Sequence, residues 1–254
     1  MVVLARSVRF LGVDTVHLKS DLGSCPDKPD YLRIAFYMAH RHELGPGDRF
    51  IIWVQGCKKR CPGCTAPEHQ PMDGGTVVSI DEMSEIIKDS GCNLLTISGG
   101  EPLLQWKSLS KLLKRLDTFY VGKTILYTGY SVVDDVVPLM EDDESFRRFV
   151  LSVGFIIDGE YIEELNDGKG LRGSTNQRLY AIMDGILVQH ISKDVWRTLD
   201  GLTVHAPDSF EFESSNRQCT MEFSMDGTVT EVGVPDRATD LMMKALKHGK
   251  LDSS

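Results

Sequence analysis

The sequence contains one run of six almost uninterrupted apolar residues, Arg49-Phe50-Ile51-Ile52-Trp53-Val54. A nearly continuous apolar sequence is typical of a strand that is covered on both faces, because neither side of such a strand contacts water. Soon after this run come three closely spaced cysteines, Cys57, Cys61 and Cys64. The stretch therefore predicts a buried strand followed by a loop that presents three thiols.

The sequence around this run alternates short strand-like segments with helical patterns between about residues 48 and 158. A capping-box spacing, Ser79 with Glu82, marks the start of one helix. A second helix is indicated by leucines at i, i+3, i+4 and i+7, which form one apolar face. Such alternation predicts βα units and a mainly parallel sheet, and hence the α/β class. The further predicted strands are residues 94–97, 124–127 and 155–157, and the leucines are Leu109, Leu112, Leu113 and Leu116.

The two ends of the chain differ from this central part. The first 43 residues contain two strand-like segments, near Val8 and near Ile34. After about residue 183 the pattern becomes rich in β-strands, with Phe210 and Phe212 among glutamates. Asp226-Gly227 there predicts a hairpin turn, and a short helix is expected over residues 237–247. We therefore predict an N-terminal extension (residues 1–43), a core (44–182) and an α+β C-terminal extension (183–254).

Composition and charge exclude several classes of protein. The 254 residues include 37 acidic and 28 basic side chains, for a formal net charge of −9, so nucleic acid and anionic lipid are repelled. No apolar run approaches the roughly 18 residues of a membrane-spanning helix, and the start of the chain does not resemble a signal peptide. Six cysteines are too few for a disulfide scaffold. These features predict a cytoplasmic protein that binds neither nucleic acid nor membrane.

The three-cysteine loop is typical of a metal centre, and its spacing admits two kinds. Three thiolates leave one coordination position to be filled. On zinc, His69 supplies a fourth ligand and makes a Cys₃His site. On a four-iron cluster, the same thiolates bind three irons and leave the fourth iron open. The spacing alone does not choose between them.

A second segment, residues 96–102, follows the next predicted strand and leads into a helix. Its glycines allow a ligand to approach the backbone, and Glu101 places a carboxylate at the carboxyl edge of the sheet, where α/β proteins bind ligands. Taken alone, a turn before a helix explains the segment equally well.

Seven motifs occur in order along the chain, and together they resemble the radical S-adenosylmethionine (SAM) superfamily. Within it the sequence is similar to the activating proteins of anaerobic ribonucleotide reductase and other glycyl-radical enzymes, which carry a 4Fe-4S single cluster domain. The resemblance covers about residues 44–180, and Leu44 departs from it, since that family usually has an acidic residue there. The motifs are Gly45-Pro46-Gly47-Asp48-Arg49, Trp53-Val54-Gln55-Gly56-Cys57, Cys61-Pro62-Gly63-Cys64, Ser98-Gly99-Gly100-Glu101-Pro102, Tyr127-Thr128-Gly129-Tyr130, Asp158-Gly159 and Arg172-Gly173-Ser174-Thr175-Asn176-Gln177-Arg178.

The resemblance implies a fold, two cofactors and their sites. The fold is a partial (βα) barrel of the radical SAM type with an appended β-rich C-terminal segment. Cys57, Cys61 and Cys64 bind a [4Fe-4S] cluster, and SAM chelates its open iron. The residues expected near SAM are Ser98, Gly99, Gly100, Glu101, Pro102, Tyr127, Thr128 and Gly129.

The resemblance also implies an activity, that of an oxidoreductase working in an anaerobic, reducing cytoplasm. One electron cleaves SAM to methionine and a 5′-deoxyadenosyl radical, which abstracts hydrogen to install a glycyl radical on a partner enzyme. An alternative sends the radical to a small metabolite or a peptide, and a third interpretation is a zinc- or cluster-bearing binding module without turnover. A flavodoxin- or ferredoxin-type donor is expected to supply the electron. The segment Lys58-Lys59-Arg60 is either its docking patch or a solvated loop. No residue is predicted to act as a catalytic hydrogen donor.

Overall fold

The computed structural model describes residues 4–8, 29–116, 120, 123–192, 195–201, 203–205, 219–223 and 229–233. The strands are β1 (Leu4–Val8), β2 (Tyr31–Arg41), β3 (Arg49–Val54), β4 (Thr76–Ser79), β5 (Leu94–Gly99), β6 (Thr124–Tyr127), β7 (Phe155–Asp158), β8 (Arg178–Met183), β9 (Ile186–Ser192), β10 (Val195–Thr198), β11 (Thr203–His205), β12 (Cys219–Phe223) and β13 (Val229–Gly233). The α-helices are α1 (Ile80–Asp89), α2 (Trp106–Arg115), α3 (Val137–Asp142) and α4 (Glu144–Ser152). Short 3₁₀ turns lie at Pro67–His69, Pro102–Gln105 and Glu163–Leu165, and a π-helical turn at Val132–Val136 precedes α3.

Ten of the strands form one mixed sheet, in the order β11-β10-β9-β8-β7-β6-β5-β3-β2-β4. The four central strands β3, β5, β6 and β7 are parallel to their neighbours within this group. These are the four strands predicted from the sequence, and β3 is buried at every position. The α/β class is thereby confirmed. The strands on both sides of this parallel centre pair antiparallel.

The helices form where the sequence signals place them. The Ser79 hydroxyl accepts a hydrogen bond from the Glu82 backbone N–H at 3.1 Å, which caps α1. α2 contains the predicted leucine face. The acidic run at residues 141–144 spans the boundary between α3 and α4, where the Asp143 carboxylate caps the first turn of α4 through the N–H groups of Ser145 and Phe146.

The large sheet has two different faces. One carries α1, α2 and α4, which pack on it through a large apolar cluster that includes Leu109 and Phe146. The other face carries a second cluster that includes Trp53 and Tyr127 and, among the described residues, contains no residue of a helix. Val232 of β13 is buried in this second cluster.

The two ends of the described chain meet in a separate three-stranded sheet, β1-β13-β12. β1 pairs antiparallel with β13, from Leu4 opposite Gly233 to Val8 opposite Val229. Because Val232 joins the second apolar cluster, this small sheet packs on the helix-free face. The predicted strands near Val8 and Ile34 and the antiparallel pairing of β12 with β13 are thus confirmed.

Some expectations fall elsewhere. The turn at residues 226–227, Phe210, Phe212 and the predicted helix at 237–247 lie outside the described residues. The division of the chain into three parts stays a prediction, although β2, which we placed in the N-terminal extension, is hydrogen-bonded to β3. None of the helices in the described ranges is long and apolar enough to cross a membrane.

A buried arginine organises the amino edge of the parallel strands. The Arg49 guanidinium donates to the Thr96 hydroxyl at 2.7 Å and to the carbonyl oxygens of Leu95 at 2.7 Å and Lys123 at 2.9 Å. It also donates to the Pro46 carbonyl at 3.0 Å. One side chain therefore joins the starts of β3, β5 and β6. Asp48 and Arg49, which end the motif that begins at Gly45, therefore lie at the edge of the sheet opposite the cysteine loop.

Candidate iron–sulfur site

The cysteine loop leaves the carboxyl end of β3 and folds back on itself. The backbone N–H of Gly56 donates to the His69 carbonyl at 2.8 Å, and that of Cys57 donates to the Gln70 carbonyl at 2.9 Å. Cys57 and Cys61 are buried, Cys64 is partly exposed, and the three side chains pack together with Ala66. The loop thus brings the three predicted ligands to one place, with Cys64 nearest to solvent.

The chemistry of this thiol group fits an iron–sulfur cluster. Burial raises the pKa of all three thiols, because a thiolate without a neighbouring cation is poorly solvated there. Iron supplies the positive charge that stabilises three thiolates in such a place. The site therefore suits a cationic centre with soft sulfur ligands.

Backbone N–H groups near the three sulfurs lower the pKa of each thiol in opposition to burial. For Cys61 this group is the backbone N–H of Tyr161, which lies beyond β7 and far from the loop in sequence. Cys64 is approached by the Ala66 N–H and by the Gln70 side chain, and Cys57 by the N–H groups of Lys59 and Arg60. Hydrogen bonds to cluster sulfurs adjust the reduction potential of an iron–sulfur centre. The Tyr161 contact has no sequence signal, since it depends on how the segment after β7 folds.

The glycines of the second motif allow β5 to approach the cysteine loop. The Gly100 N–H donates to the Val54 carbonyl at 2.7 Å, and the Glu101 N–H donates to the Gly56 carbonyl at 2.8 Å. A Cβ atom on Gly100 would lie 2.3 Å from the Gly56 carbonyl oxygen, and one on Gly99 would lie 2.4 Å from the Val54 nitrogen. Close contact between backbones therefore accounts for both glycines. Binding of a ligand by this segment stays a prediction.

The Glu101 carboxylate joins the ends of two strands and is completely buried. It accepts hydrogen bonds from the Leu103 N–H at 2.9 Å, the Thr128 hydroxyl at 2.8 Å and the Gly129 N–H at 2.8 Å. Burial raises the pKa of Glu101, and these three donors act in the opposite direction. The motif after β5 is thereby attached to the motif after β6.

The other residues expected near SAM lie at the same edge. Ser98 and Pro102 are buried on either side of the glycines and Glu101. The Tyr127 hydroxyl donates to the Leu171 carbonyl at 3.0 Å, and its ring belongs to the cluster on the helix-free face. The Thr128 N–H donates to the Ile157 carbonyl at 2.9 Å. The structure thus brings together the segments 98–102 and 127–129, which we predicted separately.

Two glutamine side chains secure the cysteine loop, and the sequence reasoning assigned neither a role. The Gln55 amide nitrogen donates to the carbonyl oxygens of Pro71 at 2.8 Å and Glu68 at 3.1 Å. The Gln105 amide nitrogen donates to the carbonyl oxygens of Gln55 at 3.0 Å and Arg33 at 2.9 Å. Gln55 stands inside the motif that ends at Cys57, so its position next to the cysteines was the available signal.

The basic residues 58–60 of the loop differ in their exposure to solvent. Lys59 is partly buried, with its ammonium 3.2 Å from a Glu160 carboxylate oxygen and 4.3 Å from the centre of the Tyr130 ring. Lys58 and Arg60 are exposed. Lys59 therefore attaches the loop to the segments after β6 and β7, and only its two neighbours are solvated.

The arginine-bounded motif, residues 172–178, closes onto the end of β7. The Gln177 amide donates to the Gly159 carbonyl at 2.7 Å and accepts from the Gly173 N–H at 2.6 Å. Arg178 pairs with the fully buried Asp158 carboxylate at 2.9 Å. A cavity of about 350 Å³ lies beside this segment; its lining includes Ile157, Lys169, Arg172, Gln177, Arg178 and His190.

Leu44, which stands where the resembled family usually has an acidic residue, has a packing role in the structure. Leu44 is fully buried in the apolar cluster of the helix-free face. The acidic residue stands one position earlier, where Glu43 is bonded to Arg41 at 2.6 Å. This position therefore contributes packing to the face on which Tyr127 lies.

Comparison with known proteins identifies the domain that holds the cysteine loop. A model of the 4Fe-4S single cluster domain matches residues 44–180, which are more than half of the chain. The anaerobic ribonucleoside-triphosphate reductase-activating protein of Enterobacteria phage T4 is 32% identical over 148 residues, covering 56% of this chain and 89% of that protein. The protein of the same name from Escherichia coli (strain K12) is 29% identical over 142 residues, covering 52% and 88%. The pyruvate formate-lyase-activating enzyme of Staphylococcus aureus (strain USA300) is 40% identical over 111 residues, covering 41% and 44%.

The chain therefore belongs to the 4Fe-4S single cluster domain family, in the activase branch of the radical SAM superfamily. This confirms the resemblance seen in the sequence and makes the protein an iron–sulfur enzyme. Zinc at the cysteine loop and a binding module without turnover are thereby set aside.

Proposed function

We propose that this enzyme cleaves SAM reductively and installs a glycyl radical on a partner enzyme. The observation that carries the proposal is the hydrogen-bonded junction at the carboxyl edge of β3, β5 and β6. There Glu101 connects its own motif to Thr128 and Gly129, and its backbone N–H holds the start of the cysteine loop at Gly56. The three motifs that the resemblance associates with cluster and SAM thus form one rigid unit.

In this proposal Cys57, Cys61 and Cys64 would hold the cluster and leave one of its irons without a protein ligand, so that SAM could bind there. When bound, the cluster supplies the single electron that cleaves SAM to methionine and a 5′-deoxyadenosyl radical, which then abstracts hydrogen. The segments 98–102 and 127–129 hold SAM beside the cysteine loop. In this proposal the large sheet forms a partial barrel of the radical SAM type around the site.

The chain contributes shielding as well as binding. A primary carbon radical reacts with whatever it meets, so its site must exclude water and competing hydrogen donors. Trp53 and Tyr127 are both buried in the apolar cluster of the helix-free face. In our proposal this face forms the wall against which the radical is made.

The partner is a glycyl-radical enzyme. Support comes from the relatives, two of which are named as activating proteins of an anaerobic ribonucleotide reductase and one as an activating enzyme of pyruvate formate-lyase. Support also comes from the extent of the match, since the phage and Escherichia coli proteins align over 89% and 88% of their own length. The terminal strands β1, β12 and β13, which lie outside the matched residues 44–180, are available to distinguish this protein's partner.

A second candidate function keeps the same radical chemistry but acts on a small metabolite or a peptide. The cavity of about 350 Å³ favours it, because its size is that of a small-ligand pocket. Its lining side chains include Lys169, Arg172, Arg178 and His190, and none of the described residues that line it is acidic. A substrate with a carboxylate or phosphate group suits that charge.

The radical chemistry is tested by anaerobic reconstitution with iron and sulfide, followed by SAM and dithionite. We expect about four irons and four sulfides per chain and the formation of 5′-deoxyadenosine. Cys61→Ala is expected to lose cluster and cleavage together. Cys25→Ala removes a cysteine outside the three-cysteine motif and serves as the matched control that keeps both. A wild-type protein that binds iron but forms no 5′-deoxyadenosine contradicts the proposal.

The two candidate substrates are separated by where the hydrogen comes from. With an anaerobic ribonucleotide reductase from the same genome, the activase proposal expects a glycyl doublet by electron paramagnetic resonance, dependent on SAM and on Cys61. The second candidate instead expects no doublet and a faster release of 5′-deoxyadenosine when the small-molecule fraction of a cell extract is added. Arg172→Gln would then lower that stimulation, because the variant removes a cation from the cavity.

A further inference from the structure

Three side chains of different metal-binding types meet at the amino edge of the large sheet. They are His40, near the end of β2, Asp48, directly before β3, and Cys92, two residues before β5. One ligand atom from each lies within 4.8 Å of the others. The sequence gives no local signal for this group, because Asp48 and Cys92 are 8 and 52 positions away from His40.

The distances among the three ligand atoms fit one tetrahedral metal ion. His40 Nδ1 lies 2.9 Å from Asp48 Oδ2 and 3.7 Å from Cys92 Sγ, and Cys92 Sγ lies 4.0 Å from Asp48 Oδ1. Ligands at zinc bond lengths of about 2.0–2.3 Å stand roughly 3.3–3.8 Å apart in a tetrahedron. The two short distances to Asp48 involve different carboxylate oxygens, and one ligand atom from each residue lies within 4.8 Å of the others. A small rotation of the Asp48 carboxylate, together with a closer approach of the thiol, therefore places all three side chains around one ion.

The backbone holds the three ligands in this arrangement. His40 has a left-handed conformation, with φ of 56°, which is uncommon for a residue other than glycine. Its backbone N–H donates to the Cys92 sulfur at 3.3 Å. The Cys92 carbonyl accepts a hydrogen bond from the Tyr120 hydroxyl at 2.6 Å, and the Cys92 N–H donates to the Ser90 hydroxyl at 3.2 Å. An N–H donor to the sulfur and fixed backbone on both sides are the outer contacts that orient a thiolate ligand.

Access to the group is open on one side only. The thiol is buried at 2% exposure, whereas the side chains of His40 and Asp48 are 61% and 47% exposed. An ion can enter from solvent, bind the imidazole and carboxylate, and reach the thiolate behind them. Water fills the fourth position, as in zinc sites with three protein ligands.

This group is separate from the iron–sulfur site. Asp48 precedes β3 and Cys57 follows it, so the two lie at opposite ends of a six-residue strand. At about 3.3 Å per residue the two edges are roughly 20 Å apart. An ion here neither replaces nor contacts the cluster.

We propose that His40, Asp48 and Cys92 form a second metal site that binds a zinc ion. Thiolate, imidazole and carboxylate together form a borderline-soft ligand set. Such a set binds zinc in preference to magnesium or calcium. The ion connects the end of β2 to the segments that enter β3 and β5. Its role is to stabilise the amino edge of the sheet, because a ligand that binds only the folded state raises stability by mass action. The inference does not rest on the proposed activity.

The test measures zinc in the full-length chain after its cluster cysteines have been replaced by serine, so that they cannot bind the metal. We expect one zinc per chain by elemental analysis after dialysis, and a rise in melting temperature when zinc is added. His40→Gln and Cys92→Ser are each expected to abolish both effects. The matched control is His42→Ala, which removes a neighbouring exposed histidine whose ring contacts the Gly47 carbonyl.

A second experiment keeps the test decisive if the chain without its three cluster cysteines fails to fold. Zinc and iron are then measured in the reconstituted holoenzyme, where the cluster occupies Cys57, Cys61 and Cys64. Cobalt(II) added in place of zinc should give a thiolate-to-metal absorption band that Cys92→Ser removes and His42→Ala retains. Zinc bound equally by wild type, His40→Gln and Cys92→Ser, or zinc absent from the wild type, overturns the proposal.

Discussion

The Glu101 carboxylate accepts a hydrogen bond from the Gly129 backbone N–H at 2.8 Å, across 28 residues of sequence. Its other oxygen accepts the Thr128 hydroxyl and the Leu103 N–H. A side chain with no exposed surface thus holds the carboxyl ends of β5 and β6 together beside the cysteine loop. Glu101 therefore has a structural role, because its hydrogen bonds join the ends of the two strands.

Glu101→Gln is expected to destabilise the protein. The amide nitrogen of glutamine must face at least one of the N–H donors that the carboxylate now accepts, so a buried donor is left without an acceptor. We expect a loss of about 1–3 kcal/mol in the free energy of unfolding, measured by denaturant titration without cluster. Thr128→Ala removes one donor and leaves the carboxylate in place, and it should cost less. Equal stability of Glu101→Gln and wild type would show that these hydrogen bonds contribute nothing to the free energy of unfolding.

Gly100→Ala is expected to prevent cluster assembly. The new methyl group would lie 2.3 Å from the Gly56 carbonyl oxygen and 2.8 Å from the His69 carbonyl oxygen, so the cysteine loop must move away from β5. Iron bound after anaerobic reconstitution measures the effect, and we expect a loss of most of it. Gly185→Ala is the control, because its methyl group meets nothing within 4 Å although the residue has φ of 77°. It should cost about 1 kcal/mol in stability and leave iron binding unchanged.

Arg49→Leu is expected to loosen the amino edge of the sheet. The substitution leaves the buried Leu95 carbonyl and the Thr96 hydroxyl without their donor, and we expect the free energy of unfolding to fall by about 2–4 kcal/mol. Arg115→Leu removes an arginine whose ion pair with Asp81 is largely exposed, and it should cost no more than about 1 kcal/mol. Similar losses in the two variants would contradict the role of Arg49.

Charge reversal at Lys58 and Arg60 is expected to slow reduction by flavodoxin. In our docking hypothesis these two exposed cations attract an acidic electron donor to the loop that carries Cys64. The double variant K58E/R60E should lower the rate of flavodoxin-dependent SAM cleavage several-fold at low salt and leave dithionite-driven cleavage unchanged. Lys59 is kept, since it is bonded to Glu160 and packs on Tyr130.

The control for this docking test is the double variant K107E/K114E, which makes the same charge change on helix α2. Both of these lysines are exposed on the helix-covered face. A rate with flavodoxin that is the same in K58E/R60E, K107E/K114E and wild type would end the hypothesis.

Much of the fold could be predicted because its signals are local. The apolar run 49–54 became β3 over the same residues, and the serine at position 79 capped α1 as its spacing indicated. The acidic run at residues 141–144 carries no equally clear signal, since solvated charge suits a loop and a helix end equally. In the structure Asp143 caps α4 with its side chain. The pairing of β1 with β13 had no local signal, because it joins residues from the two ends of the chain.

By itself the sequence determined the four parallel strands β3, β5, β6 and β7, the spacing of Cys57, Cys61 and Cys64, and the family, because burial pattern and ligand spacing depend on a few neighbouring residues. The tertiary structure alone decided that the Tyr161 backbone lies near Cys61, that the glycines at 99 and 100 allow close backbone contact, and that His40 lies beside Cys92. Those relationships arise from parallel pairing and from loops meeting at the two edges of one sheet. Side chains distant in sequence become neighbours there only after the strands have paired in register.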